Sequence, residues 1–256
     1  MLAGGGPRSG RLYPAAVTTF ADVLARRIGD DPGRPLVTFY DFESGERVEL
    51  SVTTYANWVA KAASLLVDEH GGERGWSLRV DLPAHWLTTV FLGAAWNAGL
   101  VVGDTDDPNV VVCGPDSMAA WADRAGTTEV LACSLLPLGV RFKEALPVGV
   151  RDVGVEIWSQ PDAFAPYDPA TPDDDAIDVD GTTTTQGQMI GAAAAGSVLT
   201  GDGRLLSTAN PASPPGIATF VEPLVKGGSL VLVAQADGPR LEAINVAERA
   251  TDRFPA

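Results

Sequence analysis

The stretch Leu78-Arg79-Val80-Asp81-Leu82-Pro83-Ala84-His85-Trp86, running on to Gly99, decides the fold class. Leu78 to Leu82 reads as a strand and Trp86 to Ala98 as a helix. Further on, Leu100 to Val102 and Val110 to Cys113 are strands, and Pro115, at a first-turn position, opens a short helix to about Ala125. Glu129 to Cys133 is strand again. Strands alternating with helices predict parallel pairing, because parallel strands need crossover connections. The chain is expected to be an α/β protein with mixed and parallel sheets flanked by helices.

Upstream, Thr19 is placed to cap a helix whose apolar positions Phe20, Val23, Leu24 and Ile28 follow the 3.6-residue period, with Gly29 as its stop. Leu36 to Phe42 and Arg47 to Val52 flank the turn signal Ser44-Gly45 and predict a hairpin. A second helix is expected from about Thr54 to Asp68, with Tyr55, Trp58, Val59 and Ala62 on one stripe, ending at His70-Gly71-Gly72. The Gly-rich start, Met1 to Arg11, has two arginines and no apolar core segment, so it reads as a frayed arm and not a secretory signal.

Downstream, Phe164 to Asp175 is rich in Pro and Asp and reads as a linker. A boundary there divides the chain into residues 1–165, an α/β subdomain with the N-terminal helix and hairpin, and residues 166–256, a smaller α/β subdomain. In the latter, a strand near Ala176 to Val179 precedes the loop Gly181 to Gly187 and a helix around Gln188 to Val198. Strands at Arg204 to Ser207 and Ser229 to Val233 alternate with helices over Gly216 to Val225 and from Arg240, giving a small sheet.

The chain has 256 residues, 45% of them hydrophobic and 20% charged, enough for one large or two modest cored domains. Lys and Arg total 18 against 33 Asp and Glu, a formal charge of -15, which leaves no positive field for nucleic acid or an anionic membrane. No run approaches the roughly 18 apolar residues of a membrane span. Cys113 and Cys133 each end an apolar run and read as buried free thiols, in keeping with a reducing, cytoplasmic location.

The segment with a mechanism is Asp180-Gly181-Thr182-Thr183-Thr184-Thr185-Gln186-Gly187, between a predicted strand and a predicted helix. Such a turn aims backbone N–H groups and a helix N-terminus at one spot, which favours an anion. The threonine hydroxyls add donors and Mg²⁺ ligands. It lacks the G-x-x-x-x-G-K-[ST] pattern and any lysine, so a plain polar turn and a phosphate cradle both remain open.

Several phrases resemble the N-terminal part of the adenylate-forming superfamily: acyl-CoA synthetases, luciferases and peptide-synthetase adenylation domains. Leu78 to Gly99 is similar to that family's strand, Pro-Asn turn and helix ending in Ala-Gly. Pro223-Leu224-Val225-Lys226-Gly227-Gly228-Ser229-Leu230 resembles its helix-to-strand phrase after the phosphate loop. Between them, Gly181-Thr182-Thr183 sits where the family carries Ser/Thr-Gly-Ser/Thr-Thr-Gly-x-Pro-Lys-Gly. The likeness runs from about Thr19 to Arg253. More narrowly, the chain resembles a short actinobacterial-type group that keeps only this N-terminal portion.

The resemblance implies an AMP-binding fold that takes ATP or AMP with Mg²⁺, contacted by Gly181, Thr182, Thr183 and Thr184. The chain departs from the pattern where Thr184, Thr185 and Gln186 replace Gly-x-Pro and the lysine has no counterpart. The family's later motifs for adenine, ribose and Mg²⁺, and its mobile domain with a catalytic lysine, have no match before Ala256. Lys61 lies outside a helix stripe, Lys143 in an irregular stretch and Lys226 at a helix C-terminus, so none reads as an adenylation lysine. No catalytic residue is assigned.

Other candidates read as structural. His85 is expected to be a solvated turn residue and His70 a helix-end residue, and no Ser-His-Asp set or G-x-S-x-G elbow occurs. Asp104, Asp106, Asp107 and Asn109 crowd one loop, but Asn109 and Pro115 stand where a calcium loop needs Gly and Glu, so no metal site is assigned. Asp173, Asp174 and Asp175 suit a solvated loop. The tryptophans Trp58, Trp86, Trp96 and Trp121 fall on helices and read as core or interface.

The expected function is therefore a degenerate adenylate-forming domain without turnover of its own. Two alternatives stand beside it: an acyl-adenylating ligase component completed by a partner chain, and a non-enzymatic scaffold. An incomplete sheet is expected to expose an edge for a second copy or another protein.

Overall fold

The protein is described by a computed structural model, in which residues 18–255 are placed. The arm expected over Met1 to Arg11 lies outside them. Twelve strands among the described residues form two sheets. The first sheet contains β1 (Pro35–Asp41), β2 (Arg47–Ser51), β10 (Arg204–Ser207), β11 (Ser229–Ala234) and β12 (Asp252–Phe254), in the order β12-β10-β11-β1-β2. The second contains β3 (Ser77–Asp81), β4 (Val101–Gly103), β5 (Val110–Cys113), β6 (Glu129–Ala132), β7 (Val150–Asp152), β8 (Asp175–Val179) and β9 (Thr182–Thr185), in the order β7-β6-β5-β3-β4-β8-β9.

Pairing is parallel except at the hairpins β1–β2 and β8–β9, as the strand-helix alternation predicts. Each sheet draws strands from both sides of residue 165. The expected boundary at 165/166 separates neither sheet, and the first sheet grows to five strands because the early hairpin β1–β2 joins it through β11.

The helices are α1 (Phe20–Asp30), α2 (Val52–Ser64), α3 (Trp86–Ala98), α4 (Pro115–Ala122), α5 (Val153–Glu156), α6 (Gln186–Ala195), α7 (Gly216–Lys226) and α8 (Gly238–Ala247). Thr19 caps α1 in a reciprocal box with Asp22, and α1 runs through Gly29 to Asp30. Ile28, expected on the buried stripe, is 39% exposed because it falls in the last, fraying turn. The helix expected to Asp68 ends at Ser64 and continues as one π-helical turn, Leu65–Glu69.

One apolar core takes residues from both sheets and from α1, α2, α3, α6 and α7, so these helices fill the space between the sheets. α3 lies at its centre, with every residue buried except Asn97. Gly93 makes that possible: a Cβ there would stand 2.2 Å from the Tyr55 hydroxyl and 2.8 Å from the Phe20 ring. Smaller clusters hold α4 on the outer face of the second sheet and α8 on that of the first.

Candidate functional site

Threonine is β-branched and packs best on a pleated strand. Thr182, Thr183 and Thr184 accordingly pair antiparallel with Val179, Asp178 and Ile177, and the connection shrinks to Asp180-Gly181. Both connecting residues have positive φ, +51° and +70°, as a two-residue hairpin turn requires. The expected loop over Gly181 to Gly187 is therefore corrected: Gly181 is the turn, the four threonines are a strand, and Gln186 and Gly187 open α6. Along a strand side chains alternate, so the hydroxyls of Thr182 and Thr183 point to opposite faces of the sheet.

The N-terminus of α6 spends its donors internally. Thr185 N–H donates to Gln188 Oε1 at 3.0 Å, and Gln188 N–H to Thr185 Oγ1 at 3.3 Å. The Gln186 and Gly187 N–H groups each donate, at 2.9 Å, to the carbonyls of Asp174 and Pro172. Gln186 itself is fully buried and ties three helices together, accepting from Phe20 N–H at 2.9 Å and donating to the Trp96 carbonyl at 2.8 Å.

Carboxylates dominate the surroundings of the turn. Asp180 N–H donates to Asp104 Oδ1 at 3.3 Å, and Asp173, Asp175 and Asp180 are exposed. The basic groups of this region are engaged: Arg74 with Asp168 at 2.8 Å and Asp174 at 3.0 Å, Arg79 with Asp106 at 3.2 Å. Lys226 binds Glu222 at 2.9 Å and the carbonyls of Gly196 and Leu199, at the wall of an open depression of about 590 Å³. Lys61 pairs with Asp162 at 3.0 Å, and Lys143 stands exposed on the β6–β7 connection.

His85 differs from its expected solvated setting, whereas His70 stands at a helix end as expected. His85 is 4% exposed and caps α3: its Nδ1 accepts Leu87 N–H at 3.2 Å, and its Nε2 faces Glu46 Oε2 at 3.4 Å. The ring of Phe39 packs edge-on against it at 4.8 Å. His85 Nε2 itself, Glu46 Oε1 and Trp86 Nε1 are buried with no hydrogen-bond partner among the described residues. Nothing periodic in the sequence connects the turn residue Glu46 with His85; tertiary packing alone brings them together. The side chain of His70 is 2% exposed, between Glu129 at 2.9 Å and Glu156 at 2.7 Å.

The two thiols are buried and free. Burial, with Asp81 adding to it, pushes the Cys113 thiol up to about 12, and burial raises Cys133 well above its ordinary value. Cys133 belongs to the core between the sheets and Cys113 to the cluster under α4, on the opposite face. No helix among the described residues is long and apolar enough to cross a membrane, and none of their His, Cys, Asp and Glu side chains form a cluster of three suited to a metal ion.

Solved structures that this fold resembles include acyl-CoA synthetases. The Brucella canis acyl-CoA synthetase superposes with a TM-score of 0.77 at 17% identity, covering 92% of this chain and 47% of that one. The N-terminal domain of FACL13 from Mycobacterium tuberculosis gives 0.69 at 16% identity, covering 91% and 61%. The long-chain-fatty-acid-CoA ligase FadD1 of Archaeoglobus fulgidus gives 0.73 at 11% identity, covering 92% and 51%. The chain thus spans about half the length of the first of these synthetases. No family model matches it. A TIGR03089 family protein of Mycobacterium tuberculosis (strain ATCC 25618 / H37Rv) is 34% identical over 235 residues, which are 90% of this chain and 95% of that protein. By that relationship the chain belongs to the TIGR03089 family, on the mixed α/β fold of an acyl-CoA synthetase N-terminal domain.

Proposed function

We propose that the chain is a degenerate adenylate-forming domain, which keeps the acyl-CoA synthetase-like scaffold and has no carboxylate-activating turnover by itself. The observation that carries this reading is the β8–β9 hairpin. Where the resemblance puts a phosphate loop, two residues turn the chain, and the helix N–H groups beyond them are already paired. ATP with Mg²⁺ does not fit the residues present: the hydroxyls diverge, carboxylates flank the turn, and Lys226 is held by Glu222 and two carbonyls. Adenylation depends on fixed donors and cations that meet charge developing in the transition state. Removing a single such donor costs about 2.7–4 kcal/mol, so a site lacking several has little catalysis left.

The test is ATP–pyrophosphate exchange over a panel of carboxylic acids, with calorimetric titration of ATP and Mg²⁺. The expected results are no exchange and no binding tighter than about 1 mM, equivalent to roughly 4 kcal/mol. Exchange by the pure protein overturns the reading. So does tighter binding that is lost on changing Thr182 and Thr183 to Val.

A further inference from the structure

An aspartate followed by glycine carries an electrophile and a nucleophile side by side: the backbone nitrogen of the glycine attacks the side-chain carboxyl carbon and closes a five-membered ring. Glycine favours the reaction because no Cβ shields its nitrogen or restricts its backbone. The chain holds three such pairs, Asp180-Gly181, Asp202-Gly203 and Asp237-Gly238. All three aspartates are exposed, so exposure does not rank them. The peptide group between the two residues does, because it has to rotate before the ring can close.

Two of these peptide groups are tied. Asp237 caps α8: its carboxylate accepts the Arg240 N–H at 2.9 Å, and its carbonyl accepts the Leu241 N–H at 2.9 Å. Rotation there undoes the cap and the first bond of the helix. The Asp202 carbonyl accepts from Arg34 Nη2 at 2.6 Å, and the Asp202 carboxylate stands 3.3 Å from Nη1 of the same guanidinium. Gly203 is also wedged against Thr251, whose hydroxyl would lie 2.1 Å from a Cβ.

The Asp180–Gly181 peptide is tied by nothing. Among the described residues neither its carbonyl nor its N–H makes a hydrogen bond, and the Asp180 carboxylate has no hydrogen-bond or ionic partner. Nothing lies within 4 Å of a Cβ built on Gly181. The strands close around the turn at Val179 and Thr182, so their ladder survives when the central peptide turns over. Positive φ at both residues marks a type I′ turn. Flipping its central peptide gives type II′, with ψ of the first residue at about −120°. At that angle the Gly181 nitrogen eclipses Asp180 Cβ, which is the arrangement the ring needs. Type II′ favours glycine at its first position, so an aspartate visits the flipped state briefly and the reaction is slow.

We propose that Asp180-Gly181 is a site of spontaneous backbone isomerisation, selected by the untethered central peptide of the β8–β9 turn. The Gly181 nitrogen bonds to Asp180 Cγ, and the carboxyl hydroxyl leaves with the N–H proton as one water, giving a cyclic imide. Water then opens the ring. Cleavage of the Cγ–N bond restores aspartate, and cleavage of the original backbone C–N bond gives isoaspartate, in which the chain runs through Cβ and Cγ and the former backbone carbonyl is a free carboxylate. The product carries one more carbon in the main chain, so a two-residue turn no longer matches the β8–β9 register. Because β9 is an edge strand, the damage stays local.

The test is incubation of the folded protein in warm neutral buffer made with heavy-oxygen water, beside a sample unfolded in guanidinium, until the unfolded chain has visibly converted. Each ring opening installs one heavy oxygen, and electron-transfer fragmentation separates the two isomers at each site. The expected result in the folded chain is isoaspartate at Asp180 forming at least about tenfold faster than at Asp202 or Asp237, a barrier difference of about 1.4 kcal/mol, with the three rates drawing together in guanidinium. Asp180→Asn suits the same left-handed position and reacts through the same ring with loss of ammonia, so its amide should be lost from the folded chain too. Equal rates at the three pairs in the folded protein overturn the proposal. So does an Asp180 that stays unconverted in the folded chain, or a variant amide that survives folding and is lost only in guanidinium.

Discussion

Gln186 and Phe20 are joined by one buried hydrogen bond: the Gln186 side-chain oxygen accepts the Phe20 N–H at 2.9 Å, across 166 positions of sequence. The same carboxamide donates to the Trp96 carbonyl, so one neutral side chain satisfies a donor at the start of α1 and an acceptor near the end of α3. Replacing it with Leu leaves the Phe20 N–H buried and unpaired, and leaves the Trp96 carbonyl with only the Gly99 N–H at 3.3 Å. Gln186→Leu should lower the unfolding free energy by about 2–4 kcal/mol, read from urea midpoints at unchanged slope.

Gly181 isolates a backbone effect, because nothing lies within 4 Å of a Cβ built there while its φ is +70°. Gly181→Ala should cost about 1–2 kcal/mol through left-handed strain alone. Asp180→Asn, at the preceding positive-φ position, should be close to neutral in the same thermal melts, since Asn tolerates that conformation. Equal effects of the two changes would contradict the hairpin geometry.

Gly93 poses the opposite problem of space. A methyl group placed 2.2 Å from the Tyr55 hydroxyl and 2.9 Å from Val59 must push α2 and α3 apart. Gly93→Ala should destabilise by about 1–3 kcal/mol despite the better helix propensity of alanine. Tyr55→Phe, combined with it, should recover part of the loss by removing the closest atom.

The Thr19 N–H, followed by the hydroxyls of Thr19 and Thr18, holds the Asp22 carboxyl below its ordinary value against a smaller opposing effect of burial. A depressed folded-state pKa stabilises fully above the unfolded value of about 3.9, and the contribution fades as pH falls through the folded value. Asp22→Ala should therefore be less stable than wild type at pH 6, with the gap narrowing toward pH 2. A gap constant across that range in urea titrations would argue against the capping carboxylate.

Buried thiols raised by desolvation are poor nucleophiles. Both cysteines should resist a disulfide reagent in the native protein at pH 8 and react at once in guanidinium. Because they lie on opposite faces of the sheet, oxidation should yield no intramolecular disulfide on non-reducing gels.

How far the sequence carried the fold depended on how much of each element was local. The bounds of α3, β5 and β10 follow from apolar runs with clear stops, and they stand where the residues alone put them. The residues of β9 alone read as a loop, because four threonines between glycines carry no apolar alternation, and only pairing with β8 makes them a strand. β7 and β12 are three residues each and exist through their neighbours β6 and β10. The five-stranded sheet is not legible in local sequence for the same reason, since β1 finds β11 far along the chain. In the candidate site, the missing lysine was visible in the residues. The spent N–H groups of α6 were not, because their acceptors at Asp174 and Pro172 arrive through the turn of the backbone.

The placement of β1 and β2 beside β11 has a consequence for biosynthesis. A ribosome releases residues 35–51 long before residues 229–234, so the early hairpin leaves the exit tunnel with an apolar flank, Val37 and Phe39, awaiting its neighbour. Nascent chains of this protein stalled short of residue 229 should engage holdase chaperones through that flank, and let them go once β11 has been translated.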